Sequence, residues 1–197
     1  MSQHALRRMT ADEFLEWDLD QPDARHELID GVPVAMTGAS RRHDGIVVNA
    51  VSELRARLRG GPCRPFTADV AIDVPAGNVR RPDMGVDCGP VRGEATVAAA
   101  PRLVVEVLSP SNRPFDQARK LEEYKSVESL AYILLVDTGA VEAILWSRGP
   151  DRSWQHMLLA GADAVIDLPA FGVCVPLGDV YEDVPIGTAL HFDRDPS

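Results

Sequence analysis

A mixed α/β domain, with parallel and antiparallel strands in one sheet and helices flanking it, is predicted by three features of the 197-residue sequence. Over residues 44–59, Ile46, Val47, Ala50, Val51, Leu54 and Leu58 recur at spacings of three and four, the period of an amphipathic helix, and Gly60-Gly61 close it. Residues 102–136 read as strand, helix, strand, and two strands joined through a helix lie parallel with a right-handed crossover. Residues 26–36 read as two short strands about Asp30-Gly31, a tight-turn pair that makes an antiparallel hairpin.

The remaining elements follow in order. Thr10 is placed to cap a helix over residues 10–17, with Glu13 in capping-box position and Phe14, Leu15 and Trp17 as its apolar side chains. Pro33 puts the second hairpin strand at a sheet edge, because proline has no N–H to give a neighbour. Three strands are expected after the long helix, at residues 64–74, 84–88 and 102–108, and these form the sheet's centre. A helix over 116–127 and a buried strand over 131–136 come next. Residues 141–146, 154–159 and 173–176 read as a C-terminal antiparallel meander with turns at Gly149-Pro150 and Gly161-Ala162. No linker-like break, repeat or low-complexity tract divides the chain, so a single domain over 1–197 with its core at about 10–184 is expected.

Composition narrows the function classes. No stretch reaches the roughly 18 apolar residues that span a bilayer, and the first residues lack the apolar run of a secretion signal, so a cytoplasmic protein with no membrane partner is expected. Cys63, Cys88 and Cys174 are far apart with no Cys-x-x-Cys pair, and they read as reduced structural residues. A net charge of −10 and a pI near 4.9 oppose phosphate binding over the whole surface. Carboxylates that hold a divalent metal carry such charge until the metal arrives, and arginine can still concentrate at 41–42, 55–59 and 80–81. The phosphate-binding Gly-Lys loop, the His-Glu-x-x-His zinc motif and the Gly-x-Ser-x-Gly elbow are absent, and no nucleotide cofactor is implied.

The most informative residue is Glu106, a carboxylate inside the run Leu103-Val104-Val105-Glu106-Val107-Leu108. An unpaired charge there costs several kcal/mol, so the position demands a metal, a hydrogen-bond network or a raised pKa. The plainer alternative is an arginine partner or a strand end reached by water. Asp83 follows Arg81-Pro82, where proline holds the chain extended as it enters a strand and lets the carboxylate project at a site mouth.

Lysine usage is a second clue. Eighteen arginines stand against two lysines, Lys120 and Lys125, both in the helix after the Glu106 strand. A compact ammonium on a flexible stem orients a water or meets developing phosphoryl charge in ways a planar guanidinium does not. Asp116, Lys120 and Tyr124 are spaced by four and share one helical face, although a solvated Asp116–Lys120 pair would give the same spacing. His43, with Arg41 and Arg42 beside it, is a candidate for phosphate contact or proton transfer, and Glu27 for a third carboxylate.

The ordered set His26-Glu27-Leu28-Ile29-Asp30-Gly31, His43, Arg81-Pro82-Asp83, Glu106 to Ser111, Asp116, Lys120, Tyr124 and Tyr132 to Asp137 resembles the Uma-type family of restriction-endonuclease-like proteins from Met9 to Val184. The resemblance implies the PD-(D/E)XK nuclease core, a mixed sheet with flanking helices, in which Asp83 and Glu106 hold Mg²⁺ or Mn²⁺. The lysine that the superfamily places two residues after the second acid is Leu108 here, and family members supply it from the following helix, which maps onto Lys120, with Lys125 as the fallback. The function so implied is metal-dependent DNA endonuclease activity. Asp83, Glu106 and the Val107 carbonyl would bind metal, Lys120 and Glu27 would act beside them, and His43, Arg42 and Arg81 would contact substrate. Cleavage of both strands suits a homodimer. The rival readings are a silent nuclease-fold binding protein and an enzyme for a smaller phosphoester.

Overall fold

The computed structural model describes residues 8–36, 38–108 and 114–186, with backbone only at 114–116. The first helix, α1 (Ala11–Leu19), starts where the sequence places it: Glu13 N–H donates to Thr10 Oγ1 at 3.2 Å and Thr10 N–H to Glu13 Oε2 at 3.0 Å. Phe14 is its buried anchor, packed with Leu28 and Val79. Strands β1 (His26–Ile29) and β2 (Val32–Ala35) form the predicted hairpin. Its two-residue loop has φ of +52° at Asp30 and +78° at Gly31, the left-handed pair that matches strand twist. β2 is an edge strand, as Pro33 requires.

Ser40 caps α2 (Arg41–Arg57) by accepting from His43 N–H at 3.2 Å. The expected long strand over 64–74 is instead two strands in two sheets, β3 (Arg64–Thr67) and β4 (Ile72–Val74). A turn closed by Val70 N–H to Thr67 C=O at 3.0 Å breaks the run, and Ala68-Asp69 at its tip carry no strand-forming side chain. A strand not expected from the sequence, β5 (Asn78–Arg80), returns antiparallel to β4 through Pro75-Ala76-Gly77, with Gly77 at φ +79°. The small sheet has the order β2-β1-β5-β4.

The large sheet contains β6 (Met84–Asp87), β7 (Pro101–Leu108), β8 (Tyr132–Asp137), β9 (Glu142–Arg148) and β10 (Trp154–Ala160), in the order β10-β9-β8-β7-β6-β3. α3 (Pro114–Ser126) joins β7 to β8, and that pair is parallel in register, Glu106 opposite Leu135, while every other pair in the sheet is antiparallel. The meander is shorter than expected. β9 and β10 pair, but residues 173–176 pair as β12 (Val173–Pro176) with β11 (Val165–Leu168), which the sequence reading did not name, in a separate two-stranded sheet.

Side-chain alternation along β7 sorts the layers. Leu103, Val105 and Val107 pack with Ile46, Ala50 and Leu54 of α2, and this core also takes in Leu177 and Val180 of α4 (Leu177–Val180). Val104 faces the other way, against Tyr124 of α3, Val127 just after it, Ile133 and the β4 residues Ile72 and Val74. Glu106 shares that second face.

The cysteine expectation is corrected. Cys63 and Cys88 form a disulfide, with Cα atoms 4.0 Å apart, because antiparallel pairing of Arg64 with Asp87 sets the two flanking residues opposite one another. Cys174 alone is a free thiol, and it is exposed. No helix among the described residues is long and apolar enough to cross a membrane.

Candidate functional site

Four elements converge at the β6 entry. Pro82 delivers Asp83 just before β6, where Asp83 Oδ2 accepts the Val107 N–H at 2.7 Å and lies 3.2 Å from His43 Nε2. His43 is the third residue of α2, so the helix on one face of the sheet reaches Asp83 at its first turn. From the opposite face α3 brings Lys120 and Tyr124, one turn apart, onto the same oxygen of Glu106: Lys120 Nζ at 2.9 Å and the Tyr124 hydroxyl, which donates at 2.7 Å. β1 contributes Glu27, whose Oε1 is 3.0 Å from Lys120 Nζ and accepts the Arg81 N–H at 2.9 Å.

Burial and charge set the protonation states. Glu106 is pushed up to about 7, first by burial and further by Asp83 and Glu27, with Lys120 and Tyr124 opposing. Burial pulls the Lys120 ammonium down, but Glu106 and Glu27 more than offset it and hold its pKa above the ordinary lysine value. His43 is likewise raised: burial lowers it, and the bond to Asp83 with the charges of Asp83, Glu106 and Asp44 outweighs that. Burial raises the Tyr124 hydroxyl well above its usual range, so it stays a donor to Glu106.

A second tier supports Glu27. Arg80, 4% exposed, sends Nη1 to Glu27 Oε2 at 3.1 Å and Nε to Glu123 Oε2 at 2.5 Å. Glu123 Oε1 takes Asn78 Nδ2 at 2.7 Å and Arg119 Nε at 2.9 Å, and Arg119 continues to Asp30 in the hairpin turn. Buried Glu123 is raised by desolvation, but the arginines prevail and its pKa lies below the ordinary carboxylate value.

Of the residues singled out in the sequence, Asp83, Glu106, Lys120, Glu27, His43 and the Val107 peptide meet here. Three others do not. The Arg81 side chain, 3% exposed, turns away to Asp18, to the His26 carbonyl and to the carbonyls of Ala68 and Asp69, so only its backbone N–H belongs to the site. Arg42 Nε donates to the Pro185 carbonyl at 2.5 Å. Lys125 pairs with Glu122 at 2.8 Å and lies over the Trp146 ring, which leaves Lys120 as the lysine at the carboxylates. The side chain of Asp116, together with Ser109 and Ser111, lies outside the described residues. Arg80 was expected only as part of a basic patch and instead pairs with Glu27 and Glu123, and Glu123 was not anticipated. Arg80 stands next to the singled-out Arg81, and Glu123 is one turn beyond Lys120, but nothing local links two residues on different elements.

The donor set suits a hard divalent cation with an incomplete protein shell. Lys120 and Tyr124 take one oxygen of Glu106, and Val107 N–H and His43 take one oxygen of Asp83. The other oxygen of each carboxylate receives no hydrogen bond from a described residue. Among the described residues no group of three or more His, Cys, Asp or Glu converges as a metal cage. Two carboxylates with water filling the remaining positions is an arrangement that Mg²⁺ accepts.

Comparison with known proteins agrees with this architecture. A crystal structure described as "a putative nuclease belonging to DUF820", from Anabaena variabilis, superposes with a TM-score of 0.71 at 19% identity, covering 88% of this chain and 98% of that one, and shows a shared restriction-endonuclease-like fold. "Uncharacterized protein slr1290" of Synechocystis is 31% identical over 176 residues, 88% of this chain and 92% of the relative. "Uncharacterized protein sll1609" of the same organism is 25% identical over 163 residues, covering 81% and 92%. The Uma2 family profile, described as "Putative restriction endonuclease", matches residues 11–177, and the chain belongs to that family.

Proposed function

We propose that the protein is a divalent-metal-dependent nuclease that hydrolyses DNA phosphodiester bonds at the Asp83–Glu106–Lys120 cluster. The observation that carries this reading is the position of Lys120 Nζ, 2.9 Å from Glu106 Oε1, delivered by α3 where β7 itself offers only Leu108. Asp83 and Glu106 are the residues that would hold Mg²⁺ or Mn²⁺, with the Val107 carbonyl beside them. When bound, such a cation supplies charge neutralisation at the phosphoryl oxygens and lowers the pKa of its water.

The chain's own groups do the remaining work. An ammonium has three N–H donors, and Lys120 directs two at Glu106 and Glu27, which leaves one for an attacking water or a phosphoryl oxygen. Because its pKa is raised, Lys120 stays protonated and acts as a donor and a positive charge, not as a base. Tyr124 fixes the rotamer of Glu106, and Val107 N–H and His43 fix Asp83. His43 at the rim, on Asp83, is placed to pass a proton. A twofold dimer would bring two such sites to the two strands of a duplex.

Leu108 at the motif-lysine position, together with the net charge of −10, favours a second reading, a nuclease-fold protein that binds without cutting. Incubation of the purified protein with supercoiled plasmid and single-stranded DNA, with Mg²⁺, Mn²⁺ or chelator, separates them. Nicking that requires metal supports the nuclease. Salt-sensitive DNA affinity without cleavage supports the silent binder.

A further inference from the structure

We infer that Arg80 is the positioning residue that sets Lys120 between Glu106 and Glu27, and that Glu27 holds the lysine instead of binding metal. Both oxygens of Glu27 are already engaged by cationic or N–H donors. Its Oε1 is taken by Lys120 Nζ at 3.0 Å and the Arg81 N–H at 2.9 Å, and its Oε2 by Arg80 Nη1 at 3.1 Å. Glu27 and Arg80 sit on neighbouring strands, since β1 pairs with β5 at Leu28 and Val79, so the contact is built into the backbone register.

The charges alternate along the chain of contacts: Glu106, Lys120, Glu27, Arg80, Glu123. Arg80 spans two buried carboxylates with its fork, Nε to Glu123 and Nη1 to Glu27, and Glu123 belongs to the same helix as Lys120. The helix is therefore clamped to β5 one turn from the lysine. Without Arg80, Glu27 loses one of its two cationic partners and draws the Lys120 ammonium, 3.0 Å away, from Glu106. Its guanidinium shares that charge and leaves Lys120 divided between two acids.

The kinetic arm of the test rests on the nuclease reading and the spectroscopic arm does not. The chain has two lysines, so the side-chain nitrogen spectrum of ¹⁵N-lysine-labelled protein resolves Lys120 from Lys125, and a Lys120→Met variant assigns them. Metal-free wild type, Arg80→Gln and Glu27→Gln are compared, alongside Mn²⁺ titration and DNA cleavage with kcat and KM measured separately. Arg80→Gln is expected to shift the Lys120 signal, leave Lys125 and Mn²⁺ affinity unchanged, and lower kcat about 100-fold with little change in KM, the cost of displacing a catalytic group by about an ångström. Arg80→Lys, which keeps the charge and loses the fork, is expected to recover part of that kcat. Should Arg80→Gln fail to fold, Glu123→Gln loosens the same clamp and is expected to move the same signal. An unmoved Lys120 signal in the folded variants overturns the inference, as does weakened Mn²⁺ binding in Glu27→Gln, which would make Glu27 a ligand. If wild type cuts no DNA, the nuclease reading fails, and the Lys120 signal still decides the role of Arg80.

Discussion

Lys120 of α3 and Glu106 of β7 meet at 2.9 Å on the face of the sheet opposite α2, and Glu106 also lies near the acids Asp83 and Glu27. Burial, together with the charges of Asp83 and Glu27, outweighs Lys120, which is why Glu106 resists ionisation.

The metal-free protein should therefore lose stability as the pH rises from about 4.5 to about 7. In that window folded Glu106 keeps a proton that the unfolded chain has released, so ionisation favours unfolding. The shift corresponds to on the order of 3 kcal/mol. His43 adds a decline of the same sign above 6.5, because its raised pKa makes a contribution that is complete below its unfolded value and disappears as the pH passes its folded value. Urea unfolding across this range should show a steeper decline in wild type than in Glu106→Gln. Equal slopes would show that Glu106 ionises normally.

Removing the lysine should unbalance the cluster further. Lys120→Met leaves Glu106 and Glu27 facing one another without their common cation, and breaking a partly buried pair in this way costs about 3 kcal/mol. The loss should be smaller at pH 5, where Glu106 is neutral, than at pH 8. Thermal melts at the two pH values check this, and an equal loss at both would contradict the assigned protonation.

Asp83→Asn should weaken Mn²⁺ binding, measured by titration calorimetry at pH 8, because the amide cannot supply an anionic ligand. It should also lower the pKa of His43, which Asp83 raises through contact at 3.2 Å and through charge. Proton NMR of the imidazole follows the second effect. Unchanged Mn²⁺ affinity would remove Asp83 from the metal site.

The Cys63–Cys88 bond makes a plain prediction for thiol counting. The native protein should present one reactive thiol, Cys174, and three after reduction. Closing a loop over a separation of 25 residues restricts the unfolded chain by about 3 kcal/mol, so Cys63→Ser should lower the melting temperature under oxidising conditions and leave it unchanged in reductant. Three thiols in the untreated protein would show the pair reduced, the usual state in a cytosol.

Much of this was legible in the sequence where the signal was local. The capping box at Thr10, the Asp30-Gly31 turn, the α2 periodicity and the acid within the β7 run each carry their meaning within a few residues. The scarcity of lysine pointed to the helix that carries Lys120 and Lys125, and the family resemblance chose Lys120 between them. What escaped depends on register between distant strands. Arg80 meets Glu27 only because β5 pairs with β1, and β5 is three residues with polar ends and no apolar run. Cys63 meets Cys88 only because β3 pairs with β6, and Arg81 looked available for substrate until α1 brought Asp18 beside it. The split of residues 64–74 between two sheets reflects a turn with weak composition, Ala68-Asp69, against strong strand formers on both sides.

The most direct test of the account is the single-turnover rate of DNA cleavage at saturating Mn²⁺ for wild type and Lys120→Met, with Mn²⁺ and DNA affinities measured on the same samples. The account predicts metal-dependent cleavage by wild type and a loss of at least about 100-fold in Lys120→Met with both affinities retained, as expected for a charge that acts on the transition state. Cleavage by Lys120→Met at the wild-type rate would contradict it, because the lysine from α3 would then not stand in for the one that β7 lacks.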